Sequence, residues 1–143
     1  DPADHRRGTL TRYMTYPLLS LEDIRNRLSA IYANHTHFAS WEGAAEILHR
    51  AASRVPNDYF IYLEADEENN LRKSFDINLY KANLPLQNLY PVLSKLSQSY
   101  SIPASDFDRL FDPIRTKILG HLSGGIDREG QDFLTTYYEV DWP

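Results

Sequence analysis

In Lys73-Ser74-Phe75-Asp76-Ile77-Asn78-Leu79-Tyr80, polar and apolar side chains alternate strictly from Ser74 to Tyr80. Successive side chains on a strand point to opposite faces, so Phe75, Ile77 and Leu79 share one face. Ser74, Asp76, Asn78 and Tyr80 share the other. Just upstream, Tyr59-Phe60-Ile61-Tyr62-Leu63-Glu64 is aromatic and β-branched, and Ala65 to Asn70 between the two runs is polar. The pair predicts an antiparallel hairpin with a longish connection. Parity places Ile61 and Leu63 on the apolar face of the first run, and Phe60, Tyr62 and Glu64 on its polar face.

The pattern changes period on either side of this hairpin. Toward the N-terminus, Ser20 with Asp23 three residues later forms a capping box, and Leu21, Ile24, Leu28 and Ile31 make one helical stripe. A second helix is expected from Ser40, with Glu42 in its first turn and Trp41, Ala44, Leu48, Ala51 and Val55 as its stripe; Pro56-Asn57-Asp58 ends it. Residues Asp1 to Arg12 read as a loose arm, with a strand over Thr9 to Tyr16. Toward the C-terminus, Asn88 caps a third helix, Pro91 sits in its first turn, and Val92, Leu93 and Leu96 face inward. Ser105 and Asp108 start a fourth carrying Phe107, Leu110 and Phe111, which Asp112-Pro113 breaks or restarts. Lys117 to Ile126 and Asp132 to Val140 are expected as a second hairpin around Asp127-Arg128-Glu129-Gly130. There Ile118, Leu122 and Ile126 oppose Lys117, His121 and Ser123; the last strand is apolar on both parities. The order is ααββ twice over, with no residue similarity between the halves. The predicted fold class is α+β: one antiparallel sheet of four or five strands, four helices on one face, a single domain over residues 1–143.

Composition narrows the function classes. The chain has 143 residues, 15 Lys+Arg against 20 Asp+Glu, and no cysteine. Without cysteine there are no disulfides, thiolate metal sites, iron–sulfur clusters or cysteine nucleophiles. A net charge of -5 without a long basic run argues against a nucleic-acid partner. The longest apolar run, around Tyr59-Phe60-Ile61-Tyr62, falls far short of the ~20 residues that span a bilayer, so no membrane partner is expected. No charged-then-apolar leader opens the chain, and a soluble cytoplasmic protein is the expectation.

The polar sheet face mixes Tyr, His, Asp, Asn, Ser, Glu and Lys. A plain solvated face of a two-layer domain fits that composition. So does an aromatic-walled surface that closes over a small guest, stacking on it and orienting it through a few convergent polar groups. The helix and hairpin arrangement, with Lys73 to Tyr80 and with Gly124-Gly125-Ile126-Asp127 followed by Leu134-Thr135-Thr136-Tyr137-Tyr138, resembles the ABBA-type aromatic prenyltransferases over about residues 58 to 140. That family builds a barrel with a polar, aromatic lumen from repeated helix–strand–strand–helix units. The resemblance implies transfer of a prenyl group from an allylic diphosphate to an electron-rich aromatic acceptor. In that reading Arg72, Lys117 and His121 face the diphosphate, Tyr62, Tyr80 and Tyr137 shield the allylic cation, and Glu64 or Asp76 takes the leaving proton. Glu64, Asp76 and His121 are therefore the candidate catalytic residues. Tyr62, Arg72, Asn78, Tyr80, Lys117, Ser123 and Tyr137 are the candidate substrate-binding residues. No resident cofactor or metal site is assigned; magnesium enters only as the companion of a diphosphate substrate. The alternative is a non-catalytic binding or assembly module that holds a partner protein through its sheet face or edge. Unpaired edges and an open face lead to the expectation of a homodimer or a hetero-complex.

Other local signals point to structure. His35-Thr36-His37 lacks a third ligand and reads as a solvated linker, as His49 reads as surface. Asp66-Glu67-Glu68 lacks the ligand spacing of a calcium loop and reads as a solvated turn. Gly120-His121-Leu122-Ser123-Gly124-Gly125 puts a His and a Ser on one face, but no third triad member follows, and its glycines suggest a bulge or close packing.

Overall fold

The alternating run is β3 (Lys73–Asn78), the central strand of a five-stranded antiparallel sheet in the computed structural model, which describes residues 10–33 and 38–139. The sheet also contains β1 (Thr11–Ser20), β2 (Tyr59–Glu67), β4 (Leu119–Ile126) and β5 (Asp132–Tyr138). The strands lie side by side in chain order, each antiparallel to its neighbours. Helices α1 (Leu21–Tyr32) and α2 (Ala39–Ala52) connect β1 to β2; α3 (Tyr90–Ser99) and α4 (Ala104–Phe111) connect β3 to β4. The expected arm begins outside the described residues, but Thr11 and Arg12 already belong to β1. His35-Thr36-His37 and Val140 also lie outside them.

Local chemistry sets these boundaries. Ser20 is the N-cap of α1, its hydroxyl accepting from the Asp23 N–H at 3.2 Å. Pro17 sits on the edge strand, within the irregular stretch between Tyr16 and Leu19, where a missing N–H interrupts no interior ladder. At Gly125, φ is 129° and an added Cβ would stand 2.2 Å from the Lys73 carbonyl oxygen, so the close approach of β3 and β4 there requires glycine. The β2–β3 connection is tighter than its polar composition suggests, because β2 runs on to Glu67.

One core fills the space between sheet and helices. Ile24, Leu28, Ile31 and Tyr32 of α1 and Ala44, Ile47, Leu48 and Ala51 of α2 pack against Phe75, Ile77, Leu79, Leu122 and Ile126. Val92 and Leu96 of α3 extend it, and Phe107 and Phe111 of α4 stack at 5.4 Å beside Tyr90. Gly43 of α2 leaves room for Leu96 of α3, whose Cδ1 would lie 2.7 Å from a Cβ. A polar tie secures the same side: Asp132 Oδ2 accepts from the Ser40 N–H at 3.1 Å and the Tyr100 hydroxyl at 3.0 Å. Ser40 Oγ donates to the Tyr32 hydroxyl at 2.9 Å, and burial pushes that phenol up to about 12.

The parity expected for β2 is reversed. Phe60 is 1% exposed and Tyr62 is fully buried under the helices, whereas Ile61 is 49% exposed and Leu63 is half-buried on the open face. The run is apolar at almost every position, so its alternation carries no phase. Glu64 looks like a marker of the polar face but points toward the helices, where it receives both Nε and Nη2 of Arg27 and the Tyr62 hydroxyl at 2.8 Å. Tyr62 and Glu64 are therefore part of the helix-side packing. In the last strand Leu134 and Thr136 pair with Gly124 and Leu122 and share the helix side, leaving Phe133, Thr135 and Tyr137 on the open face. At the head of the strand expected from Lys117, Leu119 is buried and Ile118 precedes β4, and the ladder is irregular between Leu119 and His121.

This parity yields a measurable contrast. Phe60→Ala is expected to lower the unfolding free energy by about 3–5 kcal/mol, as for a buried aromatic, while Ile61→Ser changes it by less than about 1 kcal/mol. Urea unfolding of both variants checks this; a larger loss at Ile61 would restore the opposite parity.

Candidate functional site

Pairing across the sheet brings distant residues into rows on the face that no helix covers. One row runs Thr15, Leu63, Asp76, Ser123, Thr135; the next runs Ile61, Asn78, His121, Tyr137; a third runs Tyr13, Ala65, Ser74, Gly125, Phe133. The polar centre is Asp76. Its Oδ2 lies 2.8 Å from His121 Nδ1, and its Oδ1 accepts from the Ser123 hydroxyl at 2.5 Å. An ionised carboxylate only accepts, so Nδ1 carries the proton toward Asp76; in the neutral ring of that tautomer Nε2 is the acceptor. Tyr80 meets the His121 ring edge-on, with centroids 5.5 Å apart and planes at 87°. The Tyr80 N–H donates to Asn78 Oδ1 at 3.1 Å, and Gly120 leaves space for the ring: an added Cβ would be 2.6 Å from Tyr80 Cζ.

Tyr13, Leu63, Asp76, Ser123, Phe133 and Tyr137, with Arg72 at the rim, line a shallow hollow of ≈ 240 Å³ over this centre. A more open hollow of ≈ 450 Å³, lined by Asp127, Arg128 and Glu129, adjoins it through Arg72 and Phe133, and two other larger ones lie elsewhere. A groove of ≈ 390 Å³ between α2 and α3 contains Glu42, Glu46, Arg50 and Lys95, and one of ≈ 610 Å³ beside β1 contains Arg12, Glu64 and Asp66. Much of their charge is already satisfied: Arg50 binds Glu46 and Arg12 binds Asp66, each at 2.8 Å, while Arg27 holds Glu64. The smaller hollow is the one whose polar groups converge on an open, aromatic-walled space.

At the end of the hollow, Glu67 is buried, its side chain only 1% exposed. It accepts from Arg128 Nε at 2.6 Å and Nη2 at 2.8 Å, from Arg72 Nη1 at 3.1 Å, from Asn70 Nδ2 at 3.0 Å and from Thr11 Oγ1 at 3.3 Å. This clamp ties the β2–β3 turn to the β4–β5 turn. The Arg128 hydrogen bonds lead the effects that hold the Glu67 carboxyl down at about 2.

Of the candidate residues, Asp76, His121, Asn78, Ser123 and Tyr137 share the open face, Tyr80 flanks His121, and Arg72 stands at the rim bound to Glu67. Tyr62 and Glu64 lie on the opposite side of the sheet. Lys117 precedes β4 and does not line the hollow. The third partner for His121 and Ser123, which the run from Gly120 to Gly125 does not supply, is Asp76 on the neighbouring strand. The order is nevertheless not that of a hydrolase triad, because Ser123 donates to the aspartate and not to the imidazole. Tyr13, Phe133 and Glu67 are additions. Phe133 becomes readable once His121 and Ser123 fix the phase of β4, whereas nothing in Asp66-Glu67-Glu68 singles out the middle acid except its parity with Leu63 and Ala65. Among the described residues no group of three or more His, Asp or Glu converges to hold a metal ion. No described helix is long and apolar enough to cross a membrane. No family model, curated protein or solved structure matches the chain.

The clamp predicts an acid response of defined sign. A carboxyl lowered in the fold stabilises it above its ordinary value of 4.5, and that contribution fades as pH falls toward about 2. Thermal unfolding of wild type and Glu67→Gln across this range checks it: the wild type should lose its advantage progressively below about pH 4.5. An advantage undiminished on acidification would remove the carboxylate's role.

Proposed function

We propose that the open sheet face is a small-molecule site, with Asp76 and Ser123 at its floor, His121 bound to Asp76 beside it, and Tyr13, Phe133 and Tyr137 as its walls. The observation that carries this reading is the double acceptance by Asp76. Both carboxylate oxygens are engaged by neighbours on one face, which fixes the imidazole and holds the Ser123 oxygen at the floor of the hollow. Such a site positions a hydroxyl or N–H of its ligand and, where a proton must leave, offers His121 Nε2 to receive it. Aromatic prenyl transfer is one chemistry of this kind, and the aromatic walls suit it. The cation at the rim suits a diphosphate less well, since Arg72 already binds Glu67.

A second reading rests on the exposed apolar side chains of the same face: Tyr13 is 65%, Ile61 49% and Tyr137 53% exposed. A partner protein or a second copy laid on the sheet would cover them. Light scattering on wild type and Ile61→Asp separates the two. The small-molecule reading expects a monomer for both; the assembly reading expects a complex that Ile61→Asp dissolves.

For the site itself, a library of small aromatic compounds screened by amide chemical-shift perturbation is expected to give shifts clustered on β3, β4 and β5. His121→Ala should weaken those hits about tenfold or more, the worth of one hydrogen bond to a well-placed acceptor, while changing stability by no more than about 1 kcal/mol. A large stability loss with unchanged binding would make these residues structural and leave the assembly reading ahead.

A further inference from the structure

We infer that the ligand class of this hollow is a small organic cation bearing N–H donors, a primary ammonium, seated at Asp76; this rests on the small-molecule reading above. The groups at the floor are acceptors. Asp76 is a carboxylate, Ser123 spends its hydroxyl proton on it, and His121 beside the hollow spends its Nδ1 proton on it as well. What they turn outward is lone pairs. A neutral apolar guest covering them would leave buried acceptors unpaired, and an anion would meet the Asp76 charge directly. An ammonium group supplies the donors that the floor lacks and the opposite charge. The walls agree with it, because Tyr13, Phe133 and Tyr137 offer aromatic faces that attract a cation through the ring quadrupole. Arg72, the cation that lines the hollow, is already bound to Glu67, so the Asp76 carboxylate is the charge its floor offers.

The test uses four probes of one shape: benzylammonium, benzyltrimethylammonium, benzyl alcohol and benzoate, titrated against the whole chain by amide shift perturbation and calorimetry. Benzylammonium is expected to bind at least about tenfold tighter than benzyl alcohol. The quaternary analogue, with charge but no donor, should fall between them, and benzoate should bind weakest. Asp76→Asn should weaken benzylammonium at least about tenfold more than it weakens benzyl alcohol. If that variant does not fold, salt supplies the second measurement: rising ionic strength should weaken benzylammonium on the wild type and spare benzyl alcohol. Equal binding of all four probes, or preference for benzoate, overturns the cation inference while the hollow stands as a ligand site. Absence of any shift on β3 and β4 with all four overturns both.

Discussion

The Arg27–Glu64 pair decides which side of the sheet is which. A carboxylate aimed at a helix layer is costly unless it is paired and hydrogen-bonded. Here the Arg27 guanidinium grips it from α1 and the buried Tyr62 hydroxyl donates to it from its own strand. Burial, reinforced by the neighbouring carboxylate, raises the Tyr62 phenol well above its ordinary range, so it stays a donor. Arg27 also lies over the Tyr16 ring at 4.7 Å, which brings β1 into the same knot. With Glu64 held inward, Phe60 and Tyr62 must follow it and Ile61 and Leu63 must turn out. The apolar half of the open face is a consequence of an ion pair on the other side.

Two carboxylates on that open face then divide the work. Glu67 is saturated by two guanidinium groups, an amide and a hydroxyl, and serves to hold two turns together. Asp76 is engaged only by side chains that themselves face outward, so its charge is passed toward whatever lies above the sheet. The first carboxylate stiffens the frame of the hollow and the second gives it chemical character. This division is a property of position: one residue sits where two turns meet, the other at the middle of the central strand.

The fold was legible wherever the pattern had a phase. Ser74 to Tyr80 alternates, so its faces, its partner residues and the hairpin around it follow from period alone, as α1 follows from Ser20, Asp23 and the stripe from Leu21 to Ile31. Tyr59 to Leu63 has no phase, and the one apparent clue, Glu64, misleads because its partner Arg27 is 37 positions away. The site was legible in the same measure. Asp76, Asn78, His121 and Ser123 meet as parity requires, while Tyr62 and Glu64 fall away with the strand that was out of phase. That Asp76 lies between His121 and Ser123 depends on the β3–β4 register, which no local pattern encodes.

The strands occupy the sheet in the order in which they occur along the chain. No strand is inserted between two that are already paired, so each joins the exposed edge left by its predecessor and every pairing is with a sequence neighbour. Contacts of that kind lower the loop-closure entropy that precedes them, which favours prompt folding and suits assembly from the N-terminal end during synthesis. In a chain that adds strands in this order, β5 zips on last and carries Phe133 and Tyr137 with it. The hollow would then be the final feature of the fold to be completed, present only once the whole sheet has formed.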